Sequence, residues 1–181
     1  YSTKINKIEV SGLSNSDNLQ ILNKLDSLFY KSIFIISKEE INKIVSDYNI
    51  VEEYRIKKIY PSGLNIIIKP TNFIARIPSN KKLLVGSNGK LITTKMNIET
   101  LPYLFGEFNS EEFLKFKKDI DKSKFNFTDF KSMSFYPSKR WDILTINDIL
   151  IKLPQDQLSE ALNHAYIFIK DNEFFNSKVI D

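Results

Sequence analysis

VEEYRIKKIYPSGLNIIIKP, from Val51 to Pro70, interleaves apolar and charged side chains as far as Tyr60. It breaks at Pro61-Ser62-Gly63 and resumes with Leu64, Ile66 and Ile68 at every second position. A period of two sends alternate side chains to opposite faces of a strand. Pro, Ser and Gly in succession mark a turn. The stretch reads as a β-hairpin with one apolar face, and its residues assemble no nucleophile, metal site or phosphate cradle.

Upstream of the hairpin, TKINKIEVSG places Ile8 and Val10 on one face and stops at Gly12, which predicts a strand. SNSDNLQILNKLDSLF then sets Leu19, Leu22, Leu25 and Leu28 at helical spacing behind Ser16 as the cap. In IFIISKEEINKIVSDY, Ser37 and Glu40 have the spacing of a capping box, and Ile41, Ile44, Val45 and Tyr48 form a stripe that must face a core. The order β-α-α-β-β describes a compact α+β unit.

From Ile74 the pattern changes. KKLLVGSNGKLITT predicts a hairpin around Asn88-Gly89, and IETLPYLFGEF an extended segment. NSEEFLKFKKDIDK predicts a helix with Asn109 as cap, Glu112 at its third position and Phe113, Phe116 and Ile120 on the buried face. FKSMSFYP and RWDILTINDILIKLP are strands, the second stretch a hairpin about Asn147-Asp148. DQLSEALNHAYIFIK carries Leu158, Ala161, Leu162, Ala165 and Ile169 on one helical stripe, and SKVID begins a further strand. The expected domains are 1–70 and 71–181, abutting, because no linker composition separates them.

With 181 residues, 42% hydrophobic and 27% charged, the chain is long enough for two small cores. Its net charge of +4 comes from lysines spread along the chain, with arginine only at Arg55, Arg76 and Arg140, which predicts a solvated surface rather than a nucleic-acid site. Cysteine is absent, which excludes disulfides, thiolate metal sites and a cysteine nucleophile. No run of about 18–20 apolar residues is present, so no transmembrane helix is predicted within the chain. The sequence opens on Tyr1 and closes within a strand pattern, so both ends are expected to continue in the natural protein.

Chemistry-bearing motifs do not assemble. VGSNGK has two residues between Gly86 and Gly89, where a phosphate-binding loop needs four, and Leu91 follows Lys90 where a Ser or Thr is required. His164 is the sole histidine and lies on a helix, so it is expected at the surface or at a domain contact. The carboxylates of Ser110–Glu112 and Lys117–Lys122 have lysines within helical reach, which predicts surface ion pairs. SKRWDILTI holds the single Trp, Trp141, behind Lys139 and Arg140. It reads either as a core anchor for its hairpin or as a contact patch, since Trp and Arg are enriched where partners bind.

Taken together, INKIEVSGLSN, SIFIISKEEINKIV and VEEYRIKKIYPSGLNIIIKP resemble a POTRA module. LLVGSNGKLI, LPYLFGE, KRWDILTINDILIKLP and the closing VID resemble the β domain of the FtsQ/DivIB cell-division family. The resemblance covers nearly the whole chain, in the family's domain order. It implies an α+β fold, with an N-terminal POTRA domain followed by a mixed β-sheet domain with flanking helices, its last strand truncated. It implies a non-enzymatic divisome scaffold without cofactor or metal. An upstream helix would anchor it to the bacterial inner membrane, with this region in the periplasm at the division site. Its partners would be an FtsB/FtsL-like pair, met by strand addition at the last strand, here Lys178, Val179 and Ile180. Lys139, Arg140 and Trp141 would add side-chain contacts, and Tyr54, Arg55, Lys57 and Lys58 would form a second surface on the POTRA unit. Two alternatives stand beside this reading: a substrate-handling POTRA region of an outer-membrane assembly or secretion protein, and a hydrolase built on a mixed α+β fold.

Overall fold

The computed structural model describes residues 3–95, 98–171 and 179–181. The chain divides into two compact units, Tyr1–Asn72 and Phe73–Asp181.

The N-terminal unit runs β1 (Lys7–Ser11), α1 (Asn15–Lys24), a short turn of tighter helix (Leu25–Leu28), α2 (Lys38–Val45), β2 (Val51–Ile59) and β3 (Gly63–Pro70). The opening hairpin supplies two of the three strands. β3 is central, antiparallel to β2 and parallel to β1. Leu64, Ile66 and Ile68 of β3 are buried under Ile21, Leu25, Leu28, Ile41 and Val45 of the helical layer. Gly12 ends β1 at φ +110°, where a Cβ would stand 1.7 Å from the Ile68 carbonyl oxygen, so only glycine lets the chain leave alongside β3.

Two details of α1 differ from the sequence expectation. Ser14, not Ser16, caps it, its Oγ accepting from the Asp17 amide at 3.2 Å. Leu19 lies exposed on this helix and Ile21 is buried. The charge of Asp17 suits the first turn, where the helix dipole is positive. At α2, Ser37 does accept from the Glu40 amide at 3.2 Å. The Glu40 carboxylate does not reach back, because it pairs with Lys31.

The C-terminal unit adds β4 (Phe73–Ile77), β5 (Leu83–Gly86), β6 (Leu91–Thr93), β7 (Tyr103–Phe105), α3 (Ser110–Lys122), β8 (Phe130–Phe135), β9 (Trp141–Thr145), β10 (Leu150–Lys152), α4 (Leu158–Asp171) and β11 (Val179–Ile180). The strands form one sheet in the order β11-β10-β9-β8-β7-β4-β5-β6. β7 with β8, β10 with β11, and β4 with β7 are parallel. Parallel neighbours need a crossover connection; α3 and α4 lie in the connections of the first two pairs, and the β5–β6 hairpin lies in that of the third. The apolar stripes of α3 and α4 (Phe113, Phe116 and Ile120; Leu158, Leu162 and Ala165) cover Leu104, Met133, Ile143 and Ile151 in one core. The capping box of α3 forms in both directions: the Glu112 amide donates to Asn109 Oδ1 at 2.8 Å, and the Asn109 amide to Glu112 Oε2 at 3.1 Å. β4 escaped the sequence reading because NFIARIP carries no strict alternation and adjoins the domain boundary. It joins the β5–β6 hairpin to β7.

Candidate partner-binding surfaces

The terminal strand β11 pairs only with β10, Leu150 opposite Val179 and Ile151 opposite Ile180, so among the described residues its outer edge carries no strand. Ile180 packs against the core, and Val179 is half exposed on the opposite face. Beside it lies a groove of about 560 Å³ walled by Arg140, Lys152, Pro154, His164, Phe168 and Asp181. Lys152 Nζ and Asp181 Oδ2 stand 3.3 Å apart along this groove. His164 takes the helix-surface position expected of it. Lys178, expected on the same strand, lies outside the described residues. Phe168 was not foreseen as a lining residue. It is 47% exposed on α4, and the signal was available in YIFIK, where it falls off the buried stripe.

The turn between β8 and β9 is tied more tightly than a free basic patch. The Tyr136 amide donates to the Arg140 carbonyl at 3.0 Å, and the Lys139 amide to the Tyr136 carbonyl at 2.8 Å. Lys139 Nζ pairs with the Glu112 carboxylate. That hydrogen bond, and next the one from the Asn109 amide, hold the Glu112 carboxyl below its ordinary value. Arg140 forks onto Asp142, Nε to Oδ1 at 3.0 Å and Nη2 to Oδ2 at 3.2 Å, with its guanidinium carbon 5.1 Å from the Tyr136 ring centroid. Residues two apart on a strand share a face, so this pair was readable from Arg140-Trp141-Asp142.

Trp141 is core. Its indole is 4% exposed, stacked on Phe116 at 4.1 Å and 3° and flanked by Phe135 at 4.6 Å. The contact reading of this residue gives way to the anchoring one, because a ring covered on its faces by two others offers no docking area. A cavity of about 220 Å³ beside it is lined by Glu112, Lys115, Asp119, Lys139, Gln155 and Asp156. A general acid at neutral pH needs a raised pKa, and Glu112 moves the other way. Among the described residues no three His, Cys, Asp or Glu side chains gather as a metal site would require.

In the N-terminal unit, β2 is an edge strand. Its alternate residues separate into two roles. Tyr54 and Lys58 face the helices: the Tyr54 hydroxyl donates to Asn42 Oδ1 at 2.8 Å, and Lys58 Nζ donates to the carbonyls of Ile33 at 2.7 Å and Ile36 at 3.2 Å. Burial, and then the charge of Glu39, push the Tyr54 hydroxyl pKa up. Both side chains are thus committed to the fold, although they line a groove of about 690 Å³ with Ile36, Lys38, Ile41 and Ile56. Arg55 and Lys57 point to the other face and are exposed.

Residues 3–69 match the family profile "POTRA domain, FtsQ-type", and residues 75–181 match "Cell division protein FtsQ/DivIB, C-terminal". The chain is 27% identical over 177 residues to the cell division protein FtsQ of Rickettsia bellii, a match covering 96% of this chain and 66% of that protein. It is 21% identical over 162 residues to the FtsQ of Rhizobium meliloti, covering 88% of this chain and 52% of that protein. It therefore spans between about half and two thirds of the length of these two relatives. The solved major extracytoplasmic domain of the trans isomer of DivIB from Geobacillus stearothermophilus aligns at a TM-score of 0.43 and 13% identity, over 58% of this chain and 96% of that one.

Proposed function

The chain belongs to the FtsQ/DivIB family of bacterial cell-division proteins, and from that premise we propose that it is a non-enzymatic scaffold of the divisome which holds partners through the outer edge of β11. Its role in cell division follows from the family. The partner, on this reading, is the extracytoplasmic part of an FtsB/FtsL-like pair. The protein is held at the inner membrane by a helix preceding Tyr1 and works in the periplasm at the division site.

The observation that carries the proposal is the position of β11. A sheet that ends on a short strand presents unpaired N–H and C=O groups, which an extended partner segment can satisfy by adding a strand. Each backbone hydrogen bond contributes about 0.5–1.5 kcal/mol net, so a few bonds give modest affinity. The groove alongside supplies the remainder, with Phe168 and Ile180 for apolar partner side chains and Lys152 for acidic ones. Lys139 and the exposed Arg55 and Lys57 are secondary contacts. A substrate-handling region of an outer-membrane assembly protein is not favoured, because residues 75–181 match the C-terminal domain of the division family.

The test is expression of the natural full-length protein as a fluorescent fusion in dividing cells, with calorimetric titration of the purified chain by an FtsB-like peptide. Mid-cell localisation together with peptide binding that Phe168→Ala weakens supports the scaffold. A protein spread evenly through the cytosol, or a peptide that binds Phe168→Ala unchanged, refutes it.

A further inference from the structure

In the C-terminal unit, α3 and α4 cover the sheet face that carries Ala75, Leu104, Met133, Ile143 and Ile151. Arg76 follows Ala75 on β4, so alternation sends it to the other face. The strand register sets a row across that face: Ile92, Leu84, Arg76, Tyr103, Ser132 and Leu144, on β6, β5, β4, β7, β8 and β9 in turn. Arg76 is the one charged side chain in this row. Phe105 lies two positions beyond Tyr103 on the same face of β7, and the two are 41% and 37% exposed.

The guanidinium is stacked but not paired. Arg76 Cζ lies 3.9 Å from the centroid of the Tyr103 ring, and the Phe105 ring stands 5.9 Å from that of Tyr103. Stacking occupies the flat side of the group and leaves its N–H edge unused. Arg76 Nε is buried without a hydrogen-bond partner, and among the described residues the group makes no ion pair. Asp142, an acid on the same sheet face, is already held by the fork of Arg140. A buried donor without an acceptor is uncommon in folded proteins, and a cation held among apolar neighbours is costly until a counter-charge joins it. We propose that Arg76, Tyr103 and Phe105 form a docking site for an acidic segment of another polypeptide. A partner Asp or Glu carboxylate meets the guanidinium edge, and an apolar side chain of the same segment lies on the two rings. The charge selects an anion, and the planar fork of arginine matches the two oxygens of a carboxylate. Arginine and aromatic rings together are also the composition in which binding energy concentrates. The site lies five strand spacings from β11, about 24 Å. It therefore stands apart from the proposed use of that edge and serves a second contact.

The test places the photo-cross-linker p-benzoylphenylalanine at Phe105 of the natural full-length protein and irradiates growing cells. The expected result is a cross-link to another protein, with mass spectrometry placing an Asp or Glu beside the point of attachment. Arg76→Gln lowers the yield at least about tenfold. Circular dichroism of the purified variant checks its fold, and unchanged binding of an FtsB-like peptide separates this site from β11. Neutralising the mapped acid on the partner lowers the yield equally and leaves this chain untouched, which decides the matter even where Arg76→Gln fails to fold. A yield no higher than from the same probe at the exposed Lys118 of α3 overturns the proposal. So does a cross-link to a second copy of this chain, or to a segment without an acid. A yield unchanged by Arg76→Gln, or by neutralising the partner's acid, overturns it as well.

Discussion

Arg140 was expected to be a partner-facing cation, and replacing it with alanine tests the different role its geometry implies. Its guanidinium makes two charge-assisted hydrogen bonds to Asp142, a carboxylate only 5% exposed, while Arg140 itself is 39% exposed. Stranding a buried charge costs about 3–5 kcal/mol. Water reaches the exposed side of this pair and screens part of that, which brings the expectation for Arg140→Ala to about 2–3 kcal/mol. Lys152 lies opposite Asp142 in the register and limits the loss further if it swings across. In a double-mutant cycle, Asp142→Asn added to Arg140→Ala should cost less than the sum of the single changes by about 1–2 kcal/mol. The assay is urea unfolding at neutral pH followed by fluorescence of Trp141, whose buried indole reports on the C-terminal unit. An Arg140→Ala protein within about 0.5 kcal/mol of the parent, or single costs that simply add, refutes the reasoning. Reversing the charge at Arg140 is therefore a poor probe of docking. Lys139→Glu is a cleaner one, because Lys139 is 71% exposed and its bridge to Glu112 is a surface pair screened by solvent.

Other perturbations address separate links. Proline at both Val179 and Ile180 removes the two N–H groups of β11, one of which faces each edge of the strand, so calorimetric binding of an FtsB-like peptide should vanish; full-strength binding moves the interface elsewhere. Lys139→Met removes the main cause of the lowered Glu112 pKa, and carboxyl NMR titration should show that group rising towards its ordinary value. A depressed carboxylate contributes stability above its unfolded pKa and loses it as pH falls through the folded one. The parent should therefore lose stability in acid more steeply than the variant, and parallel acid-unfolding curves count against the coupling. Gly12→Ala forces a left-handed φ on a residue with a Cβ and drives that atom into the Ile68 carbonyl. Thermal unfolding should show a loss of about 3 kcal/mol or more, and an unchanged melting temperature would contradict the close approach.

Local pattern carried much of this architecture. The alternation of Leu64, Ile66 and Ile68 specifies which face of β3 is buried, since a slip of one residue exposes the whole apolar set. The Asn109–Glu112 spacing places the start of α3, because cap and third residue satisfy one another within a single turn. Asn88-Gly89 and Asn147-Asp148 place two hairpins, with φ positive at Gly89 and Asp148. The errors fall where two local signals compete. Two serines could cap α1, and the strict three-residue spacing of its leucines drifts off a period of 3.6, so Leu19 was read as core where Ile21 is buried.

What the sequence alone determined is the order of elements other than β4, which rests on periodicity and turn chemistry within about twenty residues of chain, and, through its resemblance to known motifs, the family. What only the tertiary structure decided is the employment of each polar side chain. Lys58 and Tyr54 look like their neighbours Arg55 and Lys57 on paper, yet the pleat turns one pair towards helix carbonyls and an asparagine and the other towards solvent. Trp141 reads on paper as either a core anchor or a contact, and Phe116 and Phe135 on its faces make it the anchor. The physical reason is that a strand's period says which residues share a face, whereas what covers that face comes from segments far away in sequence.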